Sequence, residues 1–368
     1  MRTLCLAAIA TTCLTAPLMA SENSGAPWKP APKVLAEGLN HPWGMAFLPD
    51  GRLLITERAG QLRIFSESSG LSEPVAGVPE VYTSGQGGLL DVALDPEFSS
   101  NRMIYLSFAE SGPGGAGTSL GRGRLEDGRI KDFSVIFRQQ PKVSGGAHFG
   151  GRIVFDPENH LFLTLGERFK FQPAQELSNH LGTIVRLNRD GSVPSDNPFV
   201  DKDGALPEIW TYGNRNVQGA VFDHNSGIFW STEFGPRGGD ELNRIEPGAN
   251  YGWPLVSWGK HYSGEPIPNP DTRPDLKGSV LHWVPAISPS GMSLYDNPRS
   301  KAWQKSLLMG GLSSRSLIRV GLEDGKVTDQ ERWELGARIR DVETGPDGLA
   351  YLLTDASEGE LWQLSPPE

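Results

Sequence analysis

Trp43-Gly-Met-Ala-Phe-Leu-Pro-Asp-Gly-Arg-Leu-Leu-Ile-Thr56 decides the fold, because the rest of the chain repeats it. An apolar run meets a turn built on Pro-Asp-Gly, and a second alternating apolar run follows. The period-two alternation on either side of turn residues reads as two antiparallel strands and a tight connection. The unit returns as Leu90–Pro96 with Met103–Phe108, and as Gly151–Pro157 with Leu161–Leu165. It returns again as Val217–Asp223 with Ile228–Thr232, as Gly291–Asp296 with Ser306–Met309, and as Val342–Asp347 with Leu349–Thr354. The turn anchors Pro49, Pro96, Pro157, His224, Asn297 and Pro346 are 47, 61, 67, 73 and 49 residues apart. Further short apolar runs, such as Leu62–Phe65, Thr183–Leu187 and Leu317–Val320, supply more strands per unit. Six units of this kind predict an all-β, six-bladed β-propeller with four-stranded antiparallel blades. Lys33–Ala36 and Glu360–Leu364 are expected to close the ring within one blade.

Composition agrees. Gly (45) and Pro (29) make up about one residue in five of the 368, which suits many turns and disfavours a helical bundle. The net charge of −10 disfavours nucleic acid and anionic lipid as partners. Residues 1–20 stand apart: Arg2 is followed by an apolar stretch ending near Ala20, the pattern of a cleaved secretory signal peptide. The mature chain, 21–368, is then expected to be one propeller domain, periplasmic or secreted, with no membrane insertion. Both cysteines, Cys5 and Cys13, lie in the leading segment, so the mature protein has neither disulfide nor thiol chemistry. The irregular spacing implies long loops at 111–124, 168–180, 190–206 and 236–285. Gly112-Pro-Gly-Gly-Ala-Gly117 matches GxGxxG formally, but it carries Pro and precedes no helix, so it reads as a flexible loop rather than a dinucleotide fingerprint.

Four loops concentrate polar residues. Ser144-Gly-Gly-Ala-His148-Phe-Gly-Gly-Arg152 places a histidine among glycines, either as a general base or as a loop residue bonded to backbone. Tyr212-Gly-Asn-Arg215-Asn216-Val-Gln218 gathers polar groups before the fourth unit. Arg338 and Arg340 alternate and so share a strand face, as a carboxylate clamp or as a solvated edge. Phe234-Gly235-Pro236-Arg-Gly-Gly-Asp240-Glu241 offers carbonyls and acids, suited to a hard cation or simply to a polar turn. No HExxH or EF-hand spacing is present.

Taken in order, these stretches resemble one family, the soluble quinoprotein sugar dehydrogenases, and especially their aldose sugar dehydrogenase branch. The shared segments are His41–Gly51, Gly85–Leu94, His148–Arg152, Gly213–Gly219, Glu233–Glu241, Asn250–Pro254, Pro289–Met292 and Arg338–Val342. The resemblance implies a six-bladed propeller that binds pyrroloquinoline quinone (PQQ) and calcium and oxidises the C1 hydroxyl of aldose sugars to lactones. It implies His148 as the base and Arg215 beside the quinone oxygen that gains negative charge. Gln86, Asn216, Arg338 and Arg340 would be further cofactor contacts. Gly235 and Pro236 would give carbonyl ligands to the calcium at the cofactor, and Glu241 and Tyr251 would ligate a second, structural calcium. The external electron acceptor stays unnamed. Two departures stand out: Ala147 replaces the Asp that precedes the base in glucose-type relatives, and a cofactor lysine is missing near Gly311–Arg315, where Arg315 is the available substitute. A non-catalytic ligand-binding propeller and a lactonase-type hydrolase are the competing readings.

Overall fold

The computed structural model describes residues 28–368, so the expected signal peptide and both cysteines lie outside the described residues. Six four-stranded antiparallel sheets are arranged as blades. Each repeated unit supplies the two inner strands of a blade. The innermost strands are Pro42–Phe47, Leu89–Leu94, Gly150–Phe155, Val217–Asp223, Pro289–Tyr295 and Ile339–Thr344. In the sixth blade Lys33–Leu39 forms the outermost strand against Gly359–Leu364, pairing Val34 with Trp362 and Ala36 with Leu361. The ring is therefore closed by its first strand and its last, as the sequence predicts.

Six apolar clusters, one at each junction between neighbouring blades, hold the ring together. Leu54, Leu62, Leu89 and Leu106 join blades one and two. Trp230, Leu242, Met292 and Leu307 join four and five, and Leu39, Ile55, Leu353 and Leu361 join six and one. Each blade buries both faces against its neighbours, which explains why the middle strands Leu53–Glu57, Leu161–Leu165, Ile228–Glu233 and Ala350–Thr354 are buried along their whole length.

Each innermost strand breaks register with its neighbour near its first residues. Such bulges re-aim side chains, and here they turn Asp91, Arg152, Gln218 and Arg340 toward the axis at one end of the ring. Arg152 plugs the axis, with Nη1 3.2 Å from Asp91 and 3.0 Å from Asp341 and its guanidinium 4.2 Å above the Trp43 ring. The site lies above this plug, on the face where each innermost strand begins.

Two loop expectations need correction. The 111–124 stretch is not a flexible loop: Met103–Gly112 and Gly115–Glu126 form a long hairpin that pairs Gly112 with Gly115. Its glycines serve close approach, since a Cβ on Gly115 would lie 2.3 Å from the Val143 carbonyl oxygen. The 236–285 stretch contains the two outer strands of blade four, Asp240–Ile245 and Leu281–Trp283, so the polar loop is shorter than expected. Among the described residues no helix is long and apolar enough to cross a membrane.

Candidate active site

Most residues of the site come from one of two positions in the repeat. Either they precede or begin an innermost strand, or they lie at or just after the end of the second strand of a blade; Tyr262 instead lies in the loop before Leu281–Trp283. Gln86, His148, Arg215, Asn216, Arg338 and Arg340 are of the first kind. Glu167, Glu233 and Asp355 are of the second.

His148 is buried and has φ of 54°, an uncommon conformation for a non-glycine residue. Gln86 holds its loop twice, donating its backbone N–H to Gly146 O at 2.6 Å and accepting the His148 N–H on Oε1 at 2.7 Å. The ring Nδ1 lies 2.5 Å from Glu167 Oε1. An Nδ1–H donated to this carboxylate leaves Nε2 with the lone pair of a base. The second Glu167 oxygen accepts the backbone N–H groups of Lys170 and Phe171, at 2.5 and 2.7 Å. Burial pushes the pKa of His148 below its ordinary value. The Glu167 bond opposes this, while the charges of Arg215 and Arg168 reinforce it. The imidazole is consequently neutral near pH 7.

Arg215 is fixed at both ends. Its N–H donates to Glu233 Oε2 at 2.6 Å, its Nη1 to the carbonyls of Phe234 and Gly235 at 3.1 and 3.0 Å, and its Nη2 to the Tyr262 hydroxyl at 3.3 Å. The guanidinium also lies 5.1 Å from the Trp253 ring centroid. Arg338 and Arg340 do point together, and both donate to the same Asp355 oxygen at 2.9 Å. Those two cations hold the Asp355 carboxyl well below the usual range even though burial opposes them. Gln218 connects the halves, accepting from Arg340 Nη1 at 3.3 Å and donating to Asn216 Oδ1 at 3.3 Å. Arg315 lies in the turn after Gly311, exposed, with φ of 50°. Beside Arg215, an open cavity of about 290 Å³ is walled by Phe169, Phe171, His261 and Tyr262, with Pro236 among its lining residues.

Among the described residues, the buried nitrogen donors on this face that lack a hydrogen-bond partner include Arg215 Nε, Asn216 Nδ2 and Arg340 Nε. Orphaned donors on neighbouring cationic and amide groups suit an anionic ligand rich in acceptors, so the residues fit a polycarboxylate quinone such as PQQ. Gly235 O is already engaged by Arg215, so a cation drawing on that carbonyl would compete with the guanidinium.

Glu241 and Tyr251 do not join this network. With Glu233 they line a small space of about 20 Å³ that Arg215 also borders. Glu233 and Glu241 face each other across paired strands, and Asn243 Nδ2 donates to both, at 3.0 and 3.3 Å. Burial, together with the neighbouring Glu233 charge, pushes the Glu241 carboxyl up to about 8. Asn243 Oδ1 is a buried acceptor without a donor. Two crowded carboxylates and an orphaned amide oxygen fit a hard cation such as calcium. The Tyr251 hydroxyl already donates to Arg244 O and accepts the Glu246 N–H, at 2.7 and 3.0 Å, so only its carbonyl remains as a ligand.

Sequence reasoning missed Glu167, Asp355, Gln218, Glu233 and Tyr262. The acids had a signal: Thr56-Glu57, Thr232-Glu233 and Thr354-Asp355 end equivalent strands, and Thr164-Leu-Gly-Glu167 is the same feature two residues longer.

Comparison with known proteins agrees with this geometry. Residues 39–363 match the family described as Glucose / Sorbosone dehydrogenase. Aldose sugar dehydrogenase YliI of Escherichia coli (strain K12) is 47% identical over 342 residues, covering 91% of this chain and 92% of that protein. The apo-form crystal structure of the soluble aldose sugar dehydrogenase from Escherichia coli superposes with a TM-score of 0.89 at 45% identity, over 92% of this chain and 100% of that one. The PQQ-bound aldose sugar dehydrogenase of Streptomyces coelicolor superposes with a TM-score of 0.75 at 29% identity, over 93% of this chain and 100% of that one. A neutral histidine on a carboxylate, a cationic cradle and a propeller scaffold thus occur together in a chain that belongs to the glucose/sorbosone dehydrogenase family.

Proposed function

We propose that the protein oxidises the C1 hydroxyl of aldose sugars to the lactone, with PQQ as cofactor and calcium bound beside it. The observation that carries this reading is the buried His148–Glu167 pair facing a cradle of partnerless guanidinium and amide donors. Oxidation at C1 removes a proton from oxygen and a hydride from carbon. PQQ, when bound, would supply the two-electron acceptor for the hydride.

The chain's own residues account for the remainder. His148 Nε2 takes the hydroxyl proton, while Glu167 fixes the ring in that tautomer and stabilises the imidazolium that forms. Arg338 and Arg340, braced by Asp355, would bind cofactor carboxylates, and Arg215 and Asn216 would contact the quinone. A preorganised donor of this kind lowers the barrier by about 3 kcal/mol when charge develops beside it. Phe169 and Tyr262 flank the cavity through which the sugar would reach the base. Glu241 with Glu233 and the Tyr251 carbonyl would hold the structural calcium, and the Gly235 and Pro236 carbonyls the catalytic one. On the reading of residues 1–20 as a signal peptide, the enzyme works in the periplasm or outside the cell.

Spectral titration of the purified chain with PQQ, with and without calcium, tests the cofactor assignment. Saturable binding that weakens in Arg340→Ala supports it; no binding under either condition overturns it.

A further inference from the structure

We infer that Arg168 is a positioning residue for the base: from beneath the site it fixes the Gly145–His148 loop and, with it, the direction and charge state of the imidazole. The inference rests on His148 being the base, as proposed above.

Arg168 is almost completely buried, and among the described residues it makes no ion pair. Its Nη2 donates to Gly145 O at 2.7 Å and its Nη1 to Ala147 O. The guanidinium lies 3.5 Å over the Phe149 ring, and Nε has no partner. Burial lowers its pKa to about 10, so it stays charged at neutral pH. An unpaired buried cation is costly, and such departures from packing rules cluster at functional positions.

The loop shows what the cation does. Gly145 O and Ala147 O go to Arg168, while Gly146 O and the His148 N–H go to Gln86. Consecutive carbonyls are thus gripped alternately from two sides, which holds His148 at its positive φ. Ala147 has no side chain able to bond the ring, so orientation falls to Glu167 at Nδ1 and to Arg168 at the backbone. Arg168 is itself held in place, with φ of 59° in a turn that continues through Phe169 at 60° and Phe171 at 64°. The Glu167 carboxylate closes that turn. One turn therefore presents both devices: its carboxylate meets the ring and its guanidinium meets the ring's backbone. The charged groups acting on His148 are Glu167, Arg215 and Arg168, and Tyr82 lies near Arg168. The two cations disfavour a proton on the ring and Glu167 favours one.

The test uses the full mature chain and the variants Arg168→Met, Arg168→Lys and Arg168→Gln. Two quantities are read. One is kcat and KM for an aldose with PQQ and calcium added. The other is the pH midpoint of the His148 ring, followed by NMR in the protein alone and assigned with His148→Asn. Arg168→Met is expected to lower kcat roughly tenfold or more with little change in KM, and to raise the ring midpoint by roughly 0.5–1 pH unit. Arg168→Lys is expected to restore the midpoint and part of kcat. A folded Met variant with the parent's kcat, or one that loses kcat with an unmoved midpoint, overturns the inference. If the Met variant does not fold, the Lys and Gln variants decide: a shift in Gln alone supports it, and equal midpoints overturn it. If the parent turns over no aldose, the proposed function falls, while the NMR midpoint still reports whether Arg168 governs the ring.

Discussion

Replacing Glu241 with glutamine removes the titrating group from a crowded pair and leaves shape and hydrogen bonding nearly intact. In the folded protein the Glu241 carboxyl holds its proton up to about 8, against an ordinary value of 4.5. The folded state therefore binds a proton that the unfolded chain has released. That contribution is complete below pH 4.5, is lost as pH rises toward 8, and is flat beyond. At about 1.36 kcal/mol per pH unit, the interval corresponds to at most about 5 kcal/mol. Glu241 is only partly covered, so water screens some of this and about 2–3 kcal/mol is expected. A chain with roughly 340 ordered residues has an unfolding entropy near 0.7 kcal/mol/K, so the difference is worth about 3–4 °C in Tm. The assay is thermal unfolding in chelator from pH 5 to 8.5, repeated with millimolar calcium. Glu241→Gln should match the parent at pH 5 and melt about 3–4 °C higher at pH 8.5 in chelator. Calcium should raise the parent's Tm at pH 8.5 and raise the variant's less, because binding to the folded state alone stabilises it. A Tm difference independent of pH, or equal gains from calcium, would refute the reasoning.

Other outcomes follow from the same geometry. Glu167→Gln removes the group that favours the imidazolium, so kcat should fall by about 10²-fold or more and the acid limb of kcat/KM should move to lower pH, as a pH–rate profile will show. In the parent that limb should already lie below pH 6.5, the ordinary histidine value, because burial and two cations favour the neutral ring; a limb above 6.5 contradicts the assignment. Asp355→Asn frees Arg338 and Arg340 from their shared oxygen and should weaken PQQ binding severalfold in spectral titration through lost preorganisation. Deleting residues 28–39 exposes the Gly359–Leu364 edge and unburies Leu361; soluble yield should collapse, whereas deleting only 29–31 should not.

The scaffold was legible because each blade writes the same short grammar. Trp43–Thr56 and its five echoes mark the two inner strands, and the outer strands follow from the apolar runs between them. Ring closure was legible because Lys33–Ala36 and Glu360–Leu364 were strands without partners of their own. The 111–124 hairpin was misread because its glycines resemble a linker, although they exist to let the Val143 backbone pass close to the strand. His148, Arg215, Arg338 and Arg340 could be found because they sit among turn glycines or at alternating positions. Their partners could not be found so readily. Glu167 is 19 residues from His148 and Asp355 is 15 from Arg340, so each pair meets only through the fold. The recurring acid after the second strand was the accessible clue, and it emerges only when the blades are aligned in register. Tyr262 and Gln218 carry no such periodic signal.

The central claim is that His148 takes the proton of an aldose's C1 hydroxyl while the hydride on C1 passes to PQQ. Its most direct test is dye reduction by the mature chain reconstituted with PQQ and calcium and supplied with aldoses, beside His148→Ala loaded with the same amount of cofactor. The account predicts turnover by the parent and a loss of about 10²–10⁴-fold in kcat for the variant, with PQQ binding retained. No turnover by the parent, or a His148→Ala protein as active as the parent, would contradict it.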